Sequence, residues 1–265
     1  MADKSKYILA VDLGTSGPKT ALISVYGEVL DSEFQGTPII LHPDGGAEQD
    51  PDGWWDAIMS TSKKVLGRNH IPPEDIVAVS VTTQWSGTVA VNQEGKHLMN
   101  AIIWMDSRGA ESIKDILQGP IKIQGYPPLK MLTWLKLTGG APSLSGKDPL
   151  CHILWIKKNK PDLYRNTYKF LDPKDYINLR FTGKYAATYD SILLHWVTDN
   201  RDLSNVVYSD KLLKMAGIER SKLPDLIQAT DILGSVKKEI AAELGLKEGT
   251  PVIGGTPDVP SAGVG

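Results

Sequence analysis

The sequence has little of what marks an extracellular, membrane-bound or nucleic-acid-binding protein. Its one cysteine, Cys151, excludes an internal disulfide, suits a reducing compartment and reads as a small buried hydrophobe. No apolar run approaches the roughly 20 residues that cross a bilayer, and the N-terminus carries no signal-peptide pattern. Neither sign of charge is in excess. The net charge is −2 with both signs mixed, which favours neither nucleic acid nor an anionic membrane as a partner. None of the five histidines has metal-ligand spacing with a partner, and His152 and His195 read as structural. Tandem repeats and low-complexity tracts are missing too. What remains is the expectation of a soluble cytoplasmic protein. With 41% hydrophobic residues among 265, its core is ample, and the length fits one large α/β domain with insertions as well as two small ones.

What is present gathers at strand ends. Tyr7–Val11 is a short apolar run leading into Asp12-Leu13-Gly14-Thr15-Ser16-Gly17-Pro18-Lys19, and a second strand continues over 18–25. Asp12 then sits at the end of a buried strand, beside a turn whose glycines let the backbone approach an anion. Thr15, Ser16 and the turn N–H groups can donate to phosphate oxygens, and Lys19 can neutralise charge. This is not a P-loop, because no Gly-Lys-Ser/Thr follows and the next element is a strand. A third strand over 28–35 completes a meander, and Asp50-Pro51-Asp52 opens a helix over about 54–66. A central strand over 76–82 ends at Gln84-Trp85-Ser86-Gly87. Another over 101–104 ends at Trp104-Met105-Asp106, with Asp106 read as the cap of a helix to about 117. In open α/β sheets ligands collect outside strand carboxyl ends, so these turns are natural pocket contributors.

The segment from about 119 to 148, rich in Gly, Pro, Lys and Ser, reads as an inserted subdomain or lid. Helices are expected over 149–158, 174–181, 209–217 and 237–245. The chain closes on an apolar run, Pro251–Ile253, then Gly254-Gly255-Thr256-Pro257-Asp258 and small residues suited to opening a helix against a ligand. A glycine-rich, site-like segment at a terminus leads us to expect the first half of a larger protein.

At this point the residues resemble a known family. Ile8-Leu9-Ala10-Val11-Asp12-Leu13-Gly14-Thr15-Ser16-Gly17-x-Lys19 is similar to the first phosphate motif of the FGGY carbohydrate kinases, within the actin-like, ribonuclease-H-like ATPase superfamily. The likeness continues in order through Glu48-Gln49-Asp50-Pro51, Thr83-Gln84-Trp85-Ser86-Gly87, Ile103-Trp104-Met105-Asp106, Pro173-Lys174-Asp175-Tyr176 and Gly254-Gly255-x-x-Asp258, and so covers nearly the whole chain. The resemblance implies a mixed sheet flanked by helices and inserted segments, forming the N-terminal sugar-binding domain over 1–265. ATP would sit mostly on a C-terminal domain, the chain's own partner, and closure would bring the two together. Asp258 falls on the family's catalytic aspartate, the base for a sugar hydroxyl, and also touches substrate. Asp12 falls on the aspartate near Mg²⁺ and the transferring phosphate, and Thr15, Ser16 and Lys19 lie on the phosphate-facing turn. Gln84 and Trp85 occupy the substrate-contacting triplet, and Trp104 a position where an aromatic packs on the sugar's carbon skeleton.

The implied function is ATP-dependent phosphorylation of a sugar or polyol, with a ketopentose such as xylulose foremost. Members vary in oligomeric state, a homodimer among the options. Two departures qualify this. Many pentulose kinases have Gln-Met-His-Gly where this chain has Gln84-Trp85-Ser86-Gly87, and a glycerol-kinase-like chain would carry Gln-Arg-Glu, which disfavours glycerol. After the catalytic aspartate members usually have Asn or Gln, whereas Val259-Pro260 follows here. That substitution motivates an alternative, a non-catalytic sugar-sensing protein derived from a sugar kinase. An actin-like ATPase without a sugar substrate is the third reading.

Overall fold

A computed structural model of the chain describes residues 6–68 and 70–264. Its central feature is a six-stranded mixed sheet. In chain order the strands are β1 (Tyr7–Gly14), β2 (Gly17–Ser24), β3 (Val29–Phe34), β4 (Ile76–Thr83), β5 (Ile232–Ser235) and β6 (Pro251–Ile253), and in space they run β5-β6-β4-β1-β2-β3. β1, β2 and β3 form the expected antiparallel meander. β4 pairs parallel with β1 on one side and with β6 on the other. Three parallel strands therefore deliver their carboxyl ends to one edge: the Thr15-Ser16 turn after β1, Gln84–Gly87 after β4 and Gly254–Asp258 after β6.

Period-two alternation along β1 buries Leu9, Val11 and Leu13 and puts Asp12 on the opposite, exposed face. In the ladder Asp12 is flanked by Lys19 of β2 and Thr82 of β4. The helix α1 (Pro51–Gly67) starts where its capping signal places it, with the Asp50 carboxylate accepting from the Asp52 N–H at 3.0 Å and Pro51 in its first turn. It packs on β2 and β3, burying Trp54, Ile58 and Val65. The helix α4 (Pro173–Thr182) packs on β4, β5 and β6 and ends at Gly183 in a left-handed conformation. Trp55 and Phe181 join α1 to α4 edge-on, with ring centroids 4.9 Å apart. A further helix, α5 (Lys238–Leu244), contacts α1.

A second core lies around Ile113, Trp134, Leu150, Ile153 and Phe170. Within the segment about 119–148, the helix α2 (Pro128–Thr138) sends Trp134 into that core, where its indole N–H donates to the Trp196 carbonyl at 3.0 Å. The helix α3 (Pro149–Asn159) buries Cys151 and His152 in it as well.

The start expected for one helix needs correcting. Residues 101–102 form the strand, and the helix begins at Ala110, four residues beyond the predicted cap. The Asp106 carboxylate is drawn elsewhere: it accepts from the Ala47 N–H at 2.9 Å and from the backbone N–H and Nε of Arg108 at 2.9 Å each. Arg108 completes a buried ion pair with Glu48 at 2.7 Å.

Candidate active site

The three strand ends enclose a cleft of ≈ 380 Å³ lined by Thr15, Trp85, Ser86, Trp104, Asp258 and Val259. A larger hollow of ≈ 410 Å³ lies elsewhere, against Arg180, Tyr185 and Lys237, and none of the predicted site residues lines it. The smaller cleft is the one with convergent chemistry.

A polar chain stiffens its floor. The Trp104 indole N–H donates to Thr15 Oγ1 at 3.0 Å, and the Thr15 hydroxyl donates to Gln84 Oε1 at 3.3 Å. Gln84 Nε2 donates to Gln49 Oε1 at 2.7 Å, and Gln49 Nε2 returns to the Thr15 carbonyl at 3.0 Å. Gln84 is buried at the end of β4, so its amide holds the network rather than facing the opening. The Thr15 hydroxyl is engaged in both directions, which leaves Ser16, exposed at the tip of the turn, as the freer hydroxyl donor. Ser86 holds a left-handed backbone, φ 66°, fixed by its hydroxyl donating to the Lys147 carbonyl at 2.8 Å. Trp104 is 43% exposed, so one indole edge is anchored while much of the ring borders open space. Trp85 lines the cleft with its ring, while its indole N–H is buried away from solvent.

Asp258 opens the helix α6 (Asp258–Val264), and its Oδ1 accepts from the Val259 N–H at 2.8 Å. The Ser261 hydroxyl donates to the Pro257 carbonyl at 2.9 Å, bracing that first turn. Asp258 and Asp12 are close enough for their charges to matter. Partial burial first, and the negative charge of Asp258 second, hold the Asp12 carboxyl above its ordinary range, while Lys19 pulls it back down. Solvent still reaches Asp12, so this is a partly desolvated carboxylate at a rim. Val259 supplies an apolar, exposed wall.

Of the eight predicted site residues, Thr15, Trp85, Trp104 and Asp258 line the cleft, Gln84 bonds to Thr15 beside it, and Asp12, Ser16 and Lys19 stand on β1, its turn and β2 without lining it. Gln49 has no local sequence signal of its own, and only the fold reveals that it ties Gln84 to the Thr15 backbone. His152 and His195 are buried, as structural residues should be. Among the described residues one group brings metal-type ligands together, Asp50, Asp52 and His97. It amends the expectation that no histidine shares such an arrangement, but Asp50 caps α1 and Arg180 holds Asp52 at 2.8 Å.

A mixed sheet in this order, with carboxylates at the ends of its parallel strands, defines a ribonuclease-H-like domain of the actin-like ATPase class. Within that class the chain belongs to the FGGY family of carbohydrate kinases, whose N-terminal-domain profile matches residues 7–265. The xylulose kinase of Bacillus subtilis (strain 168) is 27% identical over 275 residues, covering 98% of this chain and 49% of that protein. The xylulose kinase of Staphylococcus xylosus is 30% identical over 244 residues, covering 91% and 46%. The crystal structure of gluconate kinase from Lactobacillus acidophilus matches with a TM-score of 0.81 at 26% identity, over 96% of this chain and 48% of that one. The chain thus spans about half the length of the curated relatives it matches. Among the described residues, no helix is long and apolar enough to cross a membrane.

Proposed function

We propose that this chain is the sugar-binding N-terminal domain of an ATP-dependent carbohydrate kinase. The whole protein would transfer the γ-phosphate of ATP to a hydroxyl of a sugar or polyol, a ketopentose such as xylulose being the first candidate. The observation that carries the reading is one cleft at the carboxyl ends of three parallel strands, walled by Trp85 and Trp104 and lined by Asp258.

A sugar hydroxyl is a weak nucleophile, and phosphoryl transfer depends mainly on in-line positioning and neutralisation of phosphate charge. In this reading Asp258, about 3 Å from the acceptor hydroxyl, orients it and takes its proton as the new bond forms. Trp85 and Trp104 border the sugar's carbon skeleton. Ser16 and Lys19 face the transferring phosphate from the β1–β2 turn. Hard oxygen donors suit Mg²⁺, and Asp12, whose ionisation is opposed by Asp258, fits as the carboxylate a divalent cation would stabilise. A divalent cation bound there with ATP would supply neutralisation of phosphate charge. The second domain would supply most of the nucleotide site and, on closure, exclude water that would otherwise take the phosphate. We read the segment 119–148 as an insertion; the anchoring of Trp134 supports a fixed wall rather than a hinged lid.

The test is ADP release by the full-length parent protein with Mg-ATP, across pentuloses, hexuloses, aldoses and polyols. One sugar class should stimulate release at least about 100-fold, since a positioned hydroxyl competes far better than water. Equal release with and without every sugar would overturn the reading. Residues 1–265 alone should bind that sugar weakly and turn over no ATP.

A further inference from the structure

The Gly254-Gly255 turn that leads to Asp258 rests on a side chain to which the reaction above gives no part. Lys174, in the first turn of α4, is wholly buried, with 0% of its surface exposed. Lysine is almost never found in that state unless paired. Its ammonium donates to Asp175 Oδ1 at 2.5 Å and to the Gly254 carbonyl oxygen at 2.9 Å. One helical turn on, Asn178 Nδ2 donates to the same carbonyl at 2.8 Å. Asp175 is itself held by the Ser191 hydroxyl at 2.6 Å. Two side chains of one helix thus converge on a single backbone oxygen four residues ahead of Asp258.

The rest of the turn is equally constrained. The Gly254 N–H donates to the Asp231 carbonyl at 2.9 Å and the Gly255 N–H to the Ala229 carbonyl at 2.8 Å. A Cβ on Gly254 would meet the Gln228 carbonyl at 2.8 Å and Thr188 Cγ2 at 2.9 Å, so the backbone lies tight against its neighbours. Joining a helix to a strand needs none of this polarity, because an apolar side chain packs there without losing ammonium hydration. What the ammonium adds is a fixed, charge-assisted contact to one carbonyl. Asp258 also reaches Asp172, the residue that caps this helix: burial and then the charge of Asp175 push the Asp172 carboxyl up, Lys174 pulls it down, and Asp258 adds to the rise.

We propose that Lys174, assisted by Asn178, is a positioning residue that clamps the Gly254 carbonyl and thereby fixes where Asp258 stands in the cleft. The inference rests on the carbohydrate-kinase reading, with Asp258 as the base. It assigns to Lys174 a role in rate, not in sugar affinity, since it lines no part of the cleft.

The experiment uses the full-length parent protein carrying Lys174→Met or Asn178→Ala, each alone and combined with Asp258→Asn. Three quantities are read: kcat with saturating sugar and Mg-ATP, the sugar Kd by calorimetry, and the residual single-turnover rate of the Asp258→Asn background. Lys174→Met should lower kcat roughly 100-fold, the scale of a small misplacement of a reacting group. Asn178→Ala should lower it about tenfold, the scale of one lost hydrogen bond. Sugar Kd should stay within about threefold, and neither substitution should slow the Asp258→Asn protein further, because groups acting as a unit are non-additive. An unchanged kcat overturns the proposal. So does a loss of equal size with and without Asp258, which would mark general structural damage. If circular dichroism shows that Lys174→Met does not fold, Asn178→Ala, which leaves the Lys174–Asp175 pair in place, decides the matter by the same criteria. A wild-type protein without sugar-dependent turnover would instead remove the kinase reading, a failure visible before any variant is made.

Discussion

Gly255 holds a left-handed backbone, φ 70°, and a Cβ there would lie 2.2 Å from the Val81 carbonyl oxygen. Gly27 is also left-handed, φ 88°, but a Cβ there would meet nothing within 4 Å. The pair separates backbone strain from steric exclusion. Gly27→Ala should cost about 1 kcal/mol, and Gly255→Ala roughly 3 kcal/mol because overpacking adds to strain. Urea unfolding of the two variants checks this, and equal losses would contradict it. In the cleft, Trp104→Phe keeps a ring but removes the donor to Thr15. In the full-length protein it should lower kcat/KM for the sugar about tenfold, the worth of one hydrogen bond in a linked chain; an unchanged kcat/KM would show that the chain does not organise the site. At this scale Asp12 and Asp258 were legible in the sequence, because a carboxylate after an apolar run and beside glycines has few structural uses. Gln49 and Lys174 were not. Their partners stand 35 and 80 positions away, at Gln84 and Gly254, and no local pattern encodes such a distance.

Elements form where local signals and packing agree. The helix α1 has both, an Asp50 cap with Pro51 behind it and an apolar stripe on the sheet. Asp50→Ala should therefore cost about 1 kcal/mol of stability. The check is the urea midpoint at unchanged slope, and no shift would mean that the cap is redundant. The meander, α1, α4 and its terminal Gly183 could be read from periodicity and caps alone. The segment around Asp106 could not. The same Asp-Ser-Arg pattern that resembles a helix start is used in a tertiary ion-pair network with Glu48 and the Ala47 N–H, so the helix begins later. Local propensity is a weak prior whenever a buried charge must find partners elsewhere in the fold.

At the scale of the whole molecule, two fully buried histidines make stability depend on pH. Burial first, and the neighbouring His152 second, hold the His195 imidazole down to about 3; burial holds His152 down to about 4. The unfolded chain takes up a proton on each near pH 6.5, whereas the folded chain does not, so stability is full above 6.5 and falls as pH drops toward the folded values. Buried Asp172 and Asp175, whose carboxyls are raised by burial, act in the opposite sense, so the test is a difference between proteins. Between pH 8 and pH 5 the wild type should lose about 2 kcal/mol more than His195→Phe. Parallel pH dependences would place a proton on His195 in the folded state. The six-stranded sheet brings three strand ends to one edge, and the central claim is that Asp258, delivered there by β6, is the base for a sugar hydroxyl. The most direct measurement is kcat and sugar Kd for Asp258→Asn in the full-length protein with Mg-ATP and the sugar that stimulates it best. The expected result is a fall in kcat of about 1,000-fold with Kd within about threefold, the signature of a lost proton acceptor. A variant that keeps its kcat, or that loses sugar binding in proportion to its rate, would contradict the assignment.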